Sequence, residues 1–293
     1  MNPSVSIVLP TYNRAHIISK AIDSVLNQTY RDFELIIVDD CSTDNTKSLI
    51  DNYEDERIHY VRCPENMGAA GARNFGAFTS AAPYLAFCDS DTVWAVDKLE
   101  RQMNFMSEHP DISLVFHSFL SIQEDQQILE PNQERLSSLS ISIFYDLLFG
   151  PLIDTPTILM RTDIFRNMEG FLGSLKSHED YEFSLRVAKD YKIGHLMEPL
   201  LFSYHVDTGV NSNYHEILRT NFYILNLYSD IISAHSDMEA AQLERLFYYT
   251  LLGNEGQYFF DELAQYALAT GHKNLYYDYE KTYNNIREQL ANE

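Results

Sequence analysis

The stretch that decides the fold is YLAFCDSDT at residues 84–92, in which an apolar run ends in two carboxylates. A short apolar run without glycine or proline is typical of a buried strand. Charges at the end of such a strand lie at the edge of a sheet, where open α/β folds bind ligands. Asp89 and Asp91 would repel each other unless a cation or a hydrogen-bond donor lay between them. A hard divalent metal suits that position, and a polar turn after a core strand is the alternative.

The composition argues against two classes of partner. The chain has 293 residues, with 21 Lys and Arg against 43 Asp and Glu, and its net charge is −22. Nucleic acids and anionic membrane surfaces both favour a basic face, so we expect neither as a direct partner. No apolar run approaches the length of about 20 residues that spans a bilayer, and the N-terminus lacks the features of a signal peptide. Three cysteines fit a reducing compartment. We therefore expect a cytoplasmic protein without a transmembrane segment, with peripheral attachment at the inner face of the membrane as the alternative.

The first half of the chain alternates strand and helix patterns. Apolar runs predict strands over residues 5–9, 35–38, 58–61 and 84–88. Helical spacing or capping residues predict helices over 17–26, 42–53, 69–81 and 96–108, and residues 10–14 are predicted as a turn. Repeated β-α-β units with short buried strands predict an α/β fold with a mostly parallel sheet that helices cover on both faces.

The second half is less regular. The pattern predicts strands over residues 113–121 and 157–160, a loop-rich segment over 123–139, and a helix over 179–191. From Tyr214 onward the pattern is helical. We therefore expect an α/β domain over residues 1–212 and a C-terminal helical appendage over 213–293. Apolar residues at helical spacing in the appendage serve either core packing or self-association, and the sequence leaves both open.

Polar residues follow the predicted strands. After the first strand, Tyr12 can stack on a base, and Asn13 or Arg14 can reach polar atoms of a ligand. After the second, Asp39 or Asp40 can accept a hydrogen bond from a nucleoside N–H or a ribose hydroxyl. A Pro/Asn turn and helix capping are the respective alternatives.

Three further stretches carry candidate residues. Residues 66–74 read NMGAAGARN, a small-residue loop that lets a ligand approach the backbone. Arg73 can pair with a diphosphate or with an acid in tight helix–sheet packing. Glu179 and Asp180 lie at a predicted helix start, where the dipole accounts for one of the two acids. Either carboxylate is a candidate general base if it points into a cleft. His205 is either a metal or phosphate contact or a structural residue.

These stretches, taken in order, resemble the family 2 glycosyltransferases of GT-A fold. The resemblance rests on residues 5–14, 38–44, 66–74, 89–94 and 179–180 and covers about residues 4–212. It implies a Rossmann-like, mostly parallel sheet flanked by helices. It also implies transfer of one sugar from a UDP-sugar, with inversion, to a hydroxyl of a glycan, a glycoprotein or a lipid-linked acceptor.

The resemblance also implies a role for each matching residue. Asp180 would be the general base, and Asp91 would bind Mn²⁺ or Mg²⁺, with His205 as the candidate second contact. The remaining candidates form a nucleotide-sugar-binding set of Pro10, Tyr12, Arg14, Asp40, Asn66, Arg73, Asp89 and Glu179.

The sequence departs from the family pattern in two places. Thr92 stands where many members carry another acid, and Tyr204 is followed by His205, Val206 and Asp207 instead of Arg-x-His. The second departure leaves open whether His205 or Asp207 completes the metal or phosphate site. A catalytically inactive nucleotide-sugar-binding or assembly subunit is the alternative function. A nucleotidyltransferase would need a basic Gly-rich signature after the first strand, where the sequence has none.

Overall fold

The computed structural model describes residues 3–123, 126–131, 143–204, 213–252, 257–272, 277 and 279–280. The chain divides into two compact units. The first comprises Met1–Leu147 and Pro151–Gly209, and the second comprises Leu148–Gly150 and Val210–Glu293.

The first unit holds the sheet and the helices that cover it. Its described strands are β1 (Val5–Thr11), β2 (Phe33–Asp39), β3 (Ile58–Arg62), β4 (Tyr84–Phe87), β5 (Thr92–Trp94), β6 (Ile112–Gln123), β7 (Gln126–Glu130), β8 (Leu159–Arg161) and β9 (Lys192–Tyr204). Its described helices are α1 (Ile18–Leu26), α2 (Thr46–Ile50), α3 (Gly68–Thr79), α4 (Lys98–Glu108), α5 (Ile143–Leu148, which ends at the border of the second unit), α6 (Thr162–Asn167) and α7 (Glu179–Asp190), with a 3₁₀ turn at Thr155–Thr157.

The strand order is β3-β2-β1-β4-β8-β6-β9-β5, and β7 pairs with β6. Strands β3, β2, β1 and β4 run parallel to one another, and β6 runs parallel to β9. The antiparallel pairs all involve the short strands β5, β7 and β8, so most paired residues lie in parallel pairs. The predicted α/β class with a mostly parallel sheet is therefore confirmed. Because the chain leaves β3 and returns on the other side of β1 as β4, a topological switch point lies at the ends of β1 and β4, where such folds bind ligands.

Helix α3 packs unusually close to the sheet. A Cβ atom at Gly76 would lie 2.7 Å from both the Val8 and Val38 side chains. Only glycine therefore lets α3 rest directly on β1 and β2. This contact fixes the helix that carries Arg73.

A cluster of phenylalanines joins β4 to the segments that follow β8. The rings of Phe87, Phe165, Phe171 and Phe183 lie in contact, with centroids between 4.7 and 5.7 Å apart. Phe87 ends β4, and Phe183 lies in the first half of α7. The cluster therefore holds the start of α7 beside the end of β4, where the candidate carboxylates lie.

Two predicted boundaries near the site are wrong. Strand β1 extends through Pro10 and Thr11, because both pair with β2 in parallel register. Helix α2 begins only at Thr46, because the side chains before it bind the loop after β1. The Ser42 Oγ accepts from the Asn13 N–H at 2.9 Å, and the Asp44 carboxylate accepts from the Ala15 N–H at 3.1 Å. The two loops after β1 and β2 are thus tied together.

Several elements are missing from the sequence prediction. Residues 126–130 form β7 inside the segment that was expected to be loop-rich. The pattern also fails to predict β5, β9, α5 and α6. Strand β9 contains Gly194 and Pro199 and pairs with β6 through shifts in register, so no regular alternation marks it.

The described part of the second unit is helical, with α8 (Tyr214–Leu227), α9 (Ser229–Ile232), α10 (Ser236–Leu252) and α11 (Gln257–Ala269). Arg245 donates from Nε to the Asn221 Oδ1 at 3.1 Å and so joins α10 to α8. The apolar residues at helical spacing are largely buried, as Leu218 and Phe247 illustrate. Of all the helices described, none combines the length and the apolar character that crossing a membrane requires. Self-association of this unit stays a prediction.

Candidate active site

Asp40 anchors the loop that leads into α3. The residue follows β2 directly and is 4% exposed. Its two carboxylate oxygens accept from the backbone N–H groups of Met67 and Gly68, at 2.7 and 2.8 Å. The Asn66 side chain donates to the Asp40 carbonyl at 3.1 Å. The structure thus brings Asp40 and Asn66 together, as the predicted nucleotide-sugar set requires, and it adds a structural role for the Asp40 carboxylate that the sequence did not reveal.

Tyr12 is an exposed ring on an anchored loop. Its side chain is 48% exposed, and the preceding Thr11 carbonyl accepts from the Asp40 N–H at 2.8 Å. On the other side, Asn13 accepts from the Thr43 N–H at 2.7 Å through its side-chain oxygen. Pro10 is half-buried in the strand before this loop. An exposed aromatic ring with fixed neighbours at a strand end can stack on a planar ligand.

Arg73 lies at the centre of the site and is 7% exposed. Its Nη1 donates to the Glu179 Oε1 at 2.6 Å, and its Nη2 donates to the Asp89 Oδ1 at 2.7 Å. Its buried Nε has no hydrogen-bond partner among the described residues. Burial alone would lower the pKa of Arg73, but the charges of Asp89 and Glu179 outweigh burial and raise it. The guanidinium therefore stays charged and joins the end of β4 to the start of α7.

Thr92 closes the turn that presents Asp91. Its backbone N–H and its hydroxyl donate to the Asp89 carbonyl at 3.2 and 3.0 Å. Asp91 is half-buried at the turn. Burial and then the charge of Asp89 raise the pKa of Asp91, while the positive charges of Arg14 and Arg73 oppose the rise. Arg14 is thus close enough to act electrostatically on Asp91, although the two are far apart in the sequence.

Asp180 begins α7 with both carboxylate oxygens bonded. Its Oδ2 accepts from the Thr155 N–H and from the Thr155 hydroxyl, each at 3.2 Å. Its Oδ1 accepts from the Tyr181 N–H at 2.8 Å. Burial raises the pKa of Asp180, and the Arg73 charge and the Thr155 hydrogen bonds offset part of that rise.

Asp154 is a neighbouring carboxyl that the sequence reasoning missed. Burial, followed by the charges of Asp180, Glu130 and Asp89, raises its pKa to about 8. It precedes Thr155 in the stretch PLIDTPT, which has no periodic pattern and resembles an ordinary turn. No signal in the sequence distinguishes Asp154 or Thr155 from other turn residues.

The charge of the site favours a cation. Five carboxyl groups act on one another here, those of Asp89, Asp91, Asp154, Glu179 and Asp180, against the positive charges of Arg73 and Arg14. In the part of the chain that the structure describes, no group of three or more His, Cys, Asp or Glu side chains has the geometry of a metal site. The predicted contact His205 and its alternative Asp207 lie outside the described residues. Oxygen donors and excess negative charge at Asp91 fit a hard divalent cation.

Comparison with known proteins assigns this arrangement to a family. The sequence profile of "Glycosyl transferase family 2" matches residues 6–167. The chain belongs to that family. It is 32% identical over 225 residues to TuaG of Bacillus subtilis, a glycosyltransferase whose name refers to teichuronic acid biosynthesis, covering 76% of this chain and 87% of TuaG. It is 41% identical over 115 residues to the Escherichia coli "UDP-Glc:alpha-D-GlcNAc-diphosphoundecaprenol beta-1,3-glucosyltransferase WfgD", covering 39% of this chain and 45% of WfgD.

Solved structures of this glycosyltransferase fold are similar over almost the whole chain. TarS of S. aureus, solved in complex with UDP-GlcNAc, has a TM-score of 0.65 at 18% identity, covering 97% of this chain and 92% of that one. The mannosyltransferase PcManGT of Pyrobaculum calidifontis, solved with GDP-Man and Mn²⁺, has a TM-score of 0.63 at 17% identity, covering 97% and 84%. The GT-A fold that the sequence predicts is therefore confirmed.

Proposed function

We propose that this family 2 glycosyltransferase moves one sugar from a UDP-sugar to an acceptor hydroxyl, with inversion at the anomeric carbon. The observation that carries the proposal is the pair of ion pairs made by Arg73, which joins Asp89 and Glu179 across sequence separations of 16 and 106 residues. These contacts put the residues proposed for the donor beside Asp180, the proposed base. The fold shared with TarS, which was solved with UDP-GlcNAc, supports a UDP-sugar donor.

The donor would bind along the strand ends. Tyr12 would stack on the uracil, while Pro10, Asp40 and Asn66 would hold the nucleoside. The charged guanidinium groups of Arg73 and Arg14 would face the diphosphate, because their planar donors match phosphate oxygens. Asp89 would contact the ribose or the donor sugar, and Glu179 would keep Arg73 in place through the 2.6 Å ion pair.

Asp180 would accept the proton of the acceptor hydroxyl. A carboxylate whose pKa is raised by burial is a better base than an exposed one, provided that it remains ionised at the working pH. Attack by the activated oxygen on the face opposite the departing UDP inverts the centre in one displacement. No covalent intermediate and no second nucleophile are needed.

A divalent cation would be held by Asp91, with His205 as the second candidate contact. When bound, Mn²⁺ or Mg²⁺ neutralises charge that develops on the leaving diphosphate. The half-buried Asp89, whose charge acts on Asp91, would contribute a further oxygen donor and part of the negative potential that such an ion requires.

The proposal also covers the domains, the location and the acceptor. Residues 1–212 would be the catalytic domain, and 213–293 would serve packing or self-association. We propose a cytoplasmic location, with peripheral attachment at the inner membrane face as the alternative. The names of WfgD and TuaG favour a lipid-linked saccharide or cell-wall glycan as acceptor over a glycoprotein.

A donor screen tests this proposal. UDP-glucose, UDP-GlcNAc and GDP-mannose are each added with Mn²⁺, and the melting temperature and the release of nucleoside diphosphate are measured. We expect a UDP-sugar to stabilise the protein, because a ligand of the native state raises its apparent stability. Asp91→Asn should abolish the metal-dependent part of that effect. Asp97→Asn is the matched control, since Asp97 pairs only with the exposed Arg101 in the contacts described.

Three outcomes contradict parts of the proposal. Stabilisation by GDP-mannose alone would overturn the choice of donor. An unchanged metal response in Asp91→Asn would overturn the metal assignment. Donor binding without turnover on water, saccharide or lipid-linked acceptors would favour the inactive assembly subunit.

A further inference from the structure

The 3₁₀ turn Thr155–Thr157 lies against the carboxylate of Asp180. Thr155 is 1% exposed and uses both its backbone N–H and its hydroxyl on the same oxygen, Asp180 Oδ2, at 3.2 Å each. Since Oδ1 is held by the Tyr181 N–H, the plane of the carboxylate is fixed from two directions.

The turn is itself anchored from the core. Gln102 of α4, which is fully buried, donates to the Thr157 carbonyl at 2.9 Å and accepts from the Lys98 ammonium at 2.8 Å. Within the turn, the Thr157 N–H and hydroxyl donate to the Asp154 carbonyl at 2.9 and 2.7 Å. The Thr155 hydroxyl is thus placed by a chain of contacts that begins two elements away.

We propose that Thr155 is a positioning residue for the transfer reaction. Its two hydrogen bonds fix the orientation of the Asp180 carboxylate and stabilise the ionised form of that carboxylate. This inference rests on the proposed role of Asp180 as the general base. No feature of the sequence suggests it, because Thr155 lies in an unpatterned turn that only the fold brings to α7.

The charges around Asp180 explain why such a donor matters. Arg73 of α3 is the positive charge that acts on Asp180, while Glu179 on its own helix and Asp154 before the turn are acids that act on it in the opposite sense. Burial also favours the protonated acid, which cannot accept a proton. A hydrogen bond to a carboxylate favours the charged form, so Thr155 opposes burial and the two acids.

The test compares three variants of the full chain. Thr155→Val keeps the shape and the backbone N–H but removes the hydroxyl donor. Thr155→Ser restores a hydroxyl. Thr157→Val is the matched control, because it removes an equally buried hydroxyl from the same turn that donates to the Asp154 carbonyl and not to Asp180.

The main readout is the titration of the Asp180 carboxyl by NMR of ¹³C-labelled aspartate, assigned with Asp180→Asn. We expect its pKa in Thr155→Val to rise by about one unit, which corresponds to a tenfold change in the ionisation equilibrium. Thr155→Ser and Thr157→Val should keep the wild-type titration midpoint. At a pH below the wild-type titration midpoint of Asp180, the ionised fraction of the base limits the rate, and a rise of one pKa unit lowers that fraction about tenfold. The kcat for UDP release from the UDP-sugar that binds should therefore fall by about tenfold in Thr155→Val at such a pH, while donor KM stays unchanged.

The outcomes distinguish a positioning role of Thr155 from a purely structural one. An unchanged Asp180 titration in Thr155→Val overturns the proposal, even if the melting temperature falls. An equal shift in Thr157→Val also overturns it, because the effect would then belong to the turn as a whole. If the titration shifts as expected but Asp180→Asn releases UDP at the wild-type rate, the role of Asp180 as base fails instead, and the catalytic part of the inference fails with it.

Discussion

Replacement of Arg73 by Met removes the cation on which the site depends while keeping a side chain of similar length. Arg73 is 7% exposed and holds Glu179 at 2.6 Å and Asp89 at 2.7 Å. Removing one partner of a buried ion pair typically costs about 3–5 kcal/mol, because the other charge is left buried and unpaired. The Asp89 side chain is 25% exposed, so water can replace its contact with Arg73. We therefore expect the free energy of unfolding to fall by an amount near the lower end of that range, about 3 kcal/mol.

The loss should depend on pH. Without the guanidinium, whose charge opposes the effect of burial on Glu179, the native pKa of that carboxyl rises further above its unfolded value. Such a group contributes stability that is present below the unfolded pKa and is lost as pH rises through the native pKa. The deficit of Arg73→Met should therefore be largest at pH 7.5 and clearly smaller at pH 5.0, where part of the buried charge is neutralised.

Urea unfolding followed by the fluorescence of Trp94 measures this deficit. Trp94 is the single tryptophan of the chain and is 3% exposed in β5, so it reports on the unit that contains the site. Arg101→Met is the matched control, since the Arg101 side chain is 45% exposed in its ion pairs, and exposed pairs contribute about 0–1 kcal/mol. A deficit in Arg73→Met no larger than that of the control, or equal at both pH values, would refute the electrostatic account of the site.

Three further predictions concern packing and buried charge. Gly76→Ala should destabilise the first unit by about 1–3 kcal/mol through overpacking, whereas Gly173→Ala, where a Cβ meets nothing within 4 Å, should be nearly neutral; urea midpoints compare them. Burial raises the pKa of Asp154 to about 8. The wild-type native state therefore loses stability as pH rises from the unfolded pKa of this carboxyl toward 8. Asp154→Asn should therefore gain stability relative to wild type between pH 5 and pH 8.5 in thermal melts, and a pH-independent difference would contradict this. Burial lowers the pKa of Lys98 to about 7, and the native state therefore loses stability as pH falls from the unfolded pKa toward 7. The melting temperature of Lys98→Met relative to wild type should accordingly rise between pH 10 and pH 7, and a constant offset would show that the Lys98 charge is not buried.

The sequence predicts the fold best where one physical pattern dominates. Buried parallel strands are continuous apolar runs, so β1, β2 and β4 and the helices between them are visible without a structure. Because parallel strands end at one sheet edge, the polar residues after β1, β2 and β4 could be expected to share a cleft. The ion pairs of Arg73 with Asp89 and Glu179 bring α3, the residues after β4 and the start of α7 together. The ends of β1 and β2 meet where the Asp40 N–H donates to the Thr11 carbonyl. The roles of the individual residues stay predictions.

The strands and contacts that the sequence does not predict depend on neighbours far along the chain, which leave no local sequence pattern. Strand β9 is irregular because it follows β6 through bulges, and its pairing is decided by its neighbour. The two backbone bonds of Asp40 require the loop after β3 to fold back on β2, which sequence spacing does not reveal. Thr155 and Asp154 lie beside α7 only in the folded protein. The phenylalanine cluster holds α7 against β4, and the hydrogen bond from Gln102 holds the turn that carries Thr155.

Asp180→Asn separates donor binding from sugar transfer and so tests the role of Asp180 as the general base. Calorimetric titration with the UDP-sugar identified by the screen, in the presence of Mn²⁺, gives the affinity, and UDP release from the same samples gives the turnover. We expect an affinity equal to that of the wild-type protein and a turnover lower by about 10²–10⁴-fold, the usual contribution of a general base. Wild-type turnover in Asp180→Asn would show that Asp180 is not the base.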